Sequence, residues 1–188
     1  MSVGRAILRA IVGALFVGHG TQKLFGWFGG SGPDATAQTM DRLELRPPRA
    51  HANVAGAAEA AGGAMLAVGA LTPIASTVLS SVMITAIRKV HGKNGPWNTG
   101  GGYEYNAVLL AALFTISAEG PGSYSVDGRA FPRFRGPGVA LAQLAIAYAG
   151  SRLATSGLVN ARAAELEPVA PDITGDRAPG PERVPVAA

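Results

Sequence analysis

The sequence predicts an all-α integral membrane four-helix bundle with a candidate fifth C-terminal helix. Three observations carry that prediction. Four apolar stretches, near residues 6–27, 50–71, 73–90 and 103–118, approach the roughly 20 residues that a helix needs to cross a bilayer. Charged residues make up 15% of the 188-residue chain, against about 25% in an ordinary soluble domain. No charged residue occurs between Ala60 and Ile87. A soluble alanine-rich bundle would carry a polar stripe along each helix at the 3.6-residue period, and the third and fourth stretches have no charged stripe.

The first stretch begins near Arg5 and Arg9, as a signal peptide does, but His19 and Lys23 continue its helical pattern and no small-x-small cleavage site follows. It reads as a retained span. The connection over residues 29–49 contains Pro33, Pro47 and Pro48, and leaves room for a short surface helix near residues 36–45. In the second stretch Ala52, Gly56, Ala60 and Ala64 recur every four residues, giving a face on which a neighbouring helix can approach closely. Leu71-Thr72-Pro73 ends that helix with a tight turn, because proline fits the first turn of a helix and not its interior. The third connection, residues 91–102, is rich in glycine and asparagine. Beyond the fourth stretch come Gly120-Pro121-Gly122, a basic segment with Arg129, Arg133 and Arg135, and the charge-free residues 136–151. Aromatic residues gather at segment ends (Phe25, Trp27 and Phe28; Trp97, Tyr103 and Tyr105; Tyr124), as in an interfacial belt. The division expected is therefore residues 1–127 as the four-helix domain and 128–154 as a basic connection with a fifth membrane or interfacial helix. Residues 155–188 read as a disordered tail rich in Pro and Ala, with three arginines and five acidic residues.

Composition excludes several chemistries. Cysteine is absent, so the chain offers no disulfide, zinc-thiolate or iron–sulfur site and no thiol nucleophile. Reactive sulfur would have to belong to a partner or a substrate. The net charge of +4 is scattered at segment ends and not aligned on a face, which argues against a nucleic-acid partner and for membrane lipid. Gly100-Gly101-Gly102 lacks the Lys-Ser/Thr of a phosphate loop, and no Gly-x-Ser-x-Gly elbow occurs. His19, His51 and His91 do not suit a bis-histidine haem, and no metal is assigned.

The informative residues are the ionisable ones inside apolar stretches, because a charge in hydrocarbon is costly and turns inward to pair. His19 and Lys23 are four apart and share a helix face, with Phe16 and Arg9 near it at seven-residue steps. His19 lies eight residues before Trp27, about 12 Å deep at 1.5 Å per residue. Glu59, nine residues after Ala50, falls at nearly the same depth if successive spans are antiparallel. The third span ends and the fourth begins on that same side. The sequence thus predicts one polar cluster of His19, Lys23, Glu59 and Glu104, with Arg88, Lys89 and His91 at its mouth and Trp97 and Asn98 above it. His19 and Glu59 are the candidate catalytic residues; Lys23, Glu104, Arg88, His91 and Trp97 are the candidate substrate-binding residues. Lys23–Glu59 can also be read as an ion pair that only locks the bundle.

Arg9, followed by Gly18-His19-Gly20-Thr21-Gln22-Lys23-Leu24-Phe25-Gly26, resembles the opening signature of the DoxX family of small bacterial membrane proteins. Glu59 before Gly62-Gly63 and Gly69 resembles that family's second span. Gly101-Gly102-Tyr103-Glu104-Tyr105-Asn106 resembles the start of its fourth, and residues 120–127 its usual ending. The resemblance implies a multi-pass protein of the bacterial cell (inner) membrane with a link to redox physiology. The family is similar to the small subunit of thiosulfate:quinone oxidoreductase, and a mycobacterial member is associated with superoxide dismutase and a sulfurtransferase in oxidative-stress defence. On that basis the expected function is a membrane subunit supporting redox or oxidative-stress chemistry, with a quinone bound in the half-membrane cluster and soluble or membrane redox proteins as partners. The alternative is a non-catalytic scaffold that anchors soluble partner proteins. Small-residue faces permit a homo-oligomer without requiring one.

Overall fold

Backbone groups in hydrocarbon have no water to bond, so a chain that crosses a bilayer satisfies them within helices. The computed structural model describes residues 2–130 and 135–157, and there is no strand among them. Seven α-helices occur among the described residues: α1 (Ser2–Phe25), α2 (Gly32–Arg42), α3 (Pro48–Val68), α4 (Thr72–Ala86), α5 (Glu104–Glu119), α6 (Val126–Ala130) and α7 (Pro137–Ala154). The four anticipated spans are α1, α3, α4 and α5, and α7 is the fifth long helix. Residues 158–188 and Arg133, and with them most of the expected tail, lie outside the described residues.

Local chemistry sets the boundaries. The surface helix starts at Gly32, four residues earlier than its pattern predicts, because Pro33 presets the first helical turn. Pro48 opens α3 in the same way, and Gly69, with φ of 67°, closes it in the left-handed conformation that glycine adopts without strain. Asp127 then caps α4. Its carboxylate accepts the N–H groups of Leu71 at 2.9 Å and Thr72 at 2.6 Å, two donors that the first turn of a helix leaves unpaired. At its far end α4 continues into a π-turn, Ile87–His91, where the Gly92 N–H reaches back to the Ile87 carbonyl.

The α1 and α3 backbones touch. A Cβ added at Gly20 would lie 2.6 Å from the Gly56 carbonyl oxygen, and one added at Gly63 would lie 2.6 Å from that of Gly13. The small-residue seam therefore runs Gly56, Ala60, Gly63, Ala67. The predicted four-residue repeat drifts off it, since 3.6 residues make a turn, and Ala64 ends exposed. Phe16, Leu66, Leu79, Leu113 and Ile116 fill the space between α1, α3, α4 and α5. Parallel to α4, α7 is tied to it by polar atoms: Gln143 Nε2 donates to the Ser76 carbonyl at 3.1 Å and to Ser80 Oγ at 2.8 Å.

The distribution of polarity is inverted relative to a water-soluble bundle. Arg9, Glu59, Ser76, Ser80 and Gln143 are buried, while Val3, Ile7, Ile11 and Leu15 form an exposed aliphatic stripe along α1, continued by Ile74, Val108 and Ile146 on other helices. An outer surface of this kind is stable against lipid. Two stretches, Val3–Phe25 and Thr72–Asn94, each of 23 residues, are long and apolar enough to cross a membrane by length and composition. The second anticipated span does not join them: α3 has the length, but His51, Asn53 and Glu59 lower its mean hydropathy, and α5 has only 16 residues.

Two substitutions test this account. Gly63→Leu should destabilise the detergent-solubilised protein by at least about 1–3 kcal/mol through overpacking, whereas Gly18→Leu, where an added Cβ meets nothing within 4 Å, should leave thermal unfolding unchanged. Asp127→Ala should cost about 0.5–2 kcal/mol by removing the α4 cap, read from the same melts.

Candidate ligand-binding site

The ends of α1, α3, α4 and α5 that lie away from the N-terminus frame a cavity of about 590 Å³, within the roughly 300–1,000 Å³ usual for small-molecule sites. Its wall is mainly apolar, with Val78, Val82, Leu109 and Leu43 among the lining side chains, and it reaches the outer surface of the bundle at Val54, which is 66% exposed. A short roof comes from α2 through Thr39 and Met40. On the exposed side the Arg49–Asp34 salt bridge ties α2 to the first turn of α3, and Arg46–Asp41 ties the end of α2 to the connection that follows it.

Polar groups gather at one end of this apolar space. Lys23 donates to Glu59 Oε2 in an ion pair. The Glu59 side chain is 3% exposed and the Lys23 side chain 29%, so the carboxylate is enclosed and the ammonium keeps one side open. His19 lines the same cavity without bonding to Glu59. Its Nδ1 lies 3.2 Å from Gln22 Oε1, a contact that holds the ring and leaves Nε2 unengaged. The Tyr105 ring meets the imidazole edge-on, with centroids 6.1 Å apart. His91 also lines the cavity, with Nδ1 2.8 Å from the Gly101 carbonyl, and Lys89 stands beside it.

Of the residues that sequence placed in the cluster, His19, Lys23, Glu59, Lys89, His91 and Asn98 come together around one space. Arg88, Glu104 and Trp97 do not line it. One residue from Lys89 on the π-turn, Arg88 points to α7, donating to Ser151 Oγ at 2.8 Å and lying 5.9 Å over the Tyr148 ring. Glu104 is spent on local structure: its carboxylate accepts the Asn98 N–H at 2.7 Å and so folds the loop before α5. Trp97 is 68% exposed, at the rim of the bundle. Arg9 shares the inward face of Phe16 and Lys23 as the seven-residue steps require, but at the opposite end, where it donates to the carbonyls of Pro121, Tyr124 and Ala67.

Sequence reasoning missed two contributors. Asn106, buried and donating to Met83 Sδ at 3.4 Å, lines the cavity; it stood in plain view as the last residue of the Gly101–Asn106 motif. The α2 roof was also missed. Its only signal was the four-residue spacing of Thr36 and Met40 on an otherwise polar helix.

A family model described as DoxX matches residues 4–92. Residues 4–92 carry a DoxX-family region. That region marks a membrane protein; it runs from α1 through the π-turn, so it contains His19, Lys23, Glu59 and His91. The motifs at residues 101–106 and 120–127 lie beyond it. No curated protein and no solved structure matches the chain.

The ion pair makes an asymmetric prediction for this protein. Removing one partner of a buried pair strands the other, at about 3–5 kcal/mol when the stranded charge cannot reach water. Lys23→Met, which strands the enclosed Glu59, should therefore lower the melting temperature more than Glu59→Gln, which leaves an ammonium already in reach of solvent. The double variant Lys23→Met/Glu59→Leu should recover most of the loss.

Proposed function

We propose that this protein is a multi-pass subunit of a bacterial inner-membrane redox system and that its cavity takes a quinone head group. The observation that carries the reading is the pairing of a mainly apolar space, open toward the outside of the bundle, with one compact group of hydrogen-bonding and ionisable side chains at its end. A quinone needs that combination: a flat apolar ring and tail to bury, and two carbonyl oxygens that accept hydrogen bonds. When bound, it would supply the two-electron carrier chemistry.

The residues of this chain supply the rest. Lys23 provides a cation that favours negative charge arriving on a bound oxygen, and Glu59 keeps that cation in place. His19, held by Gln22 through Nδ1, leaves Nε2 for a hydrogen bond to a quinone carbonyl or for proton exchange. Asn106 offers an amide donor now used only on a thioether, a weak acceptor. The apolar wall excludes bulk water, which strengthens each of these interactions. The absence of cysteine is in keeping with a subunit that leaves thiol chemistry to others.

The test is equilibrium binding of a radiolabelled short-tailed quinone to protein in lipid nanodiscs. The native chain should bind saturably. His19→Ala and Glu59→Gln should each weaken binding at least tenfold, or about 1.4 kcal/mol, while Gln143→Ala in the α4–α7 contact should not. Folded His19 and Glu59 variants that bind as the native chain does would refute the proposal.

A further inference from the structure

A second cavity, of about 380 Å³, lies between the last turn of α1, the Gly29–Gly30 loop and α2. Its character is different. Gln22, Ser31, Thr36 and Thr39 contribute polar side chains, and Gly29 and Gly30 expose backbone. It shares four wall residues with the apolar cavity: His19, Lys23, Thr39 and Met40. Two of those four are the groups that can carry a proton. One ion pair thus sits at the boundary between a polar compartment and an apolar one, with its carboxylate enclosed and its ammonium partly open.

We propose that the second cavity is a water-filled antechamber, roofed by α2, through which the Lys23–Glu59 pair and His19 exchange protons with the aqueous phase. This rests on the reading of the apolar cavity as a ligand site and adds to it a separate route for protons. The ligand arrives from the bundle's outer surface and the proton from the loop side. Each proton that the pair or His19 gives to a ligand is replaced by one from antechamber water, so the side chains end as they began and one proton has moved from water to ligand. The compartment is roomy enough for several water molecules; Thr36 and Thr39 give their hydroxyl protons to the Gly32 and Ala35 carbonyls and keep oxygens that accept from water, while Lys23 and Ser31 can donate. The other titratable groups lining the two cavities are His19 from α1, His51 from α3, Lys89 and His91 from the π-turn after α4, and Tyr105 from α5; α2 contributes none to either wall. A roof without ionisable groups lets water in without competing for the proton.

Water access can be read without any quinone, because a chain lacking cysteine accepts single reporter thiols. In nanodiscs, the rate of modification by an anionic, membrane-impermeant methanethiosulfonate would be compared at Gln22→Cys and Val108→Cys. Val108 is 65% exposed and belongs to the outer aliphatic surface; Gln22 is half-buried but lines the antechamber. The expected result is at least tenfold faster modification of Gln22→Cys, and a marked slowing when Thr39→Trp is added to fill the space. Met40→Cys, on the shared wall, provides the same comparison should Gln22→Cys not fold. Equal or slower modification than at Val108→Cys, or no effect of Thr39→Trp, would overturn the antechamber while leaving the quinone-binding measurement to stand or fall by itself.

Discussion

A polar side chain surrounded by hydrocarbon has nowhere to find a hydrogen bond except another part of the same protein. That constraint organises this bundle. Arg9 reaches carbonyls in the segment after α5, Gln143 reaches across to α4, and Glu59 reaches Lys23. Each of these contacts joins elements distant in sequence, so each also fixes how helices sit against one another. Aliphatic residues are left to the outside, where lipid is indifferent to their arrangement. The specificity of the fold therefore resides less in its apolar core than in the few polar atoms that can be satisfied in one way.

The two ends of the bundle use this constraint differently. At the end holding Arg9 and Asp127, these two buried charged groups bond to backbone: Arg9 to carbonyls, Asp127 to the amides that open α4. Such a knot is structural and leaves little chemistry to spare. At the other end the charged groups answer one another and border open space. Lys23 and Glu59 balance their charges, yet neither has all its bonding capacity used, and His19 retains a free ring nitrogen. Unspent capacity beside a cavity is what separates a ligand site from an internal brace.

Much of this was legible in the sequence because depth follows from residue count. Eight residues back from Trp27 and nine forward from Ala50 bring His19 and Glu59 level, and the structure places both on one cavity. Azimuth was harder. Whether Arg88 or Lys89 faces the cavity depends on the π-turn, which has no signature in composition, and it sends Arg88 to α7. Glu104 misled for a related reason: a carboxylate at the start of a helix serves equally as a loop cap or a ligand contact, and only the fold of residues 95–103 decides. The packing of α3 was seen in kind but not in register, since a repeat of four drifts around a helix that turns every 3.6 residues.

The contact between α1 and α3 has a mechanical consequence. Where Gly13 faces Gly63 and Gly20 faces Gly56, backbone approaches backbone and little side chain remains to be compressed, so that pair of helices acts as a fixed post. Any widening needed to admit a bulky ring must be taken up on the far side of the chamber, by α4 swinging about its turn at Leu71 or by α2 lifting off. His19, Lys23 and Glu59 stand on the post, whereas Val78 and Val82 of α4 and Thr39 and Met40 of α2 stand across the chamber from it. Guests of different girth would thus meet the same unmoved charges.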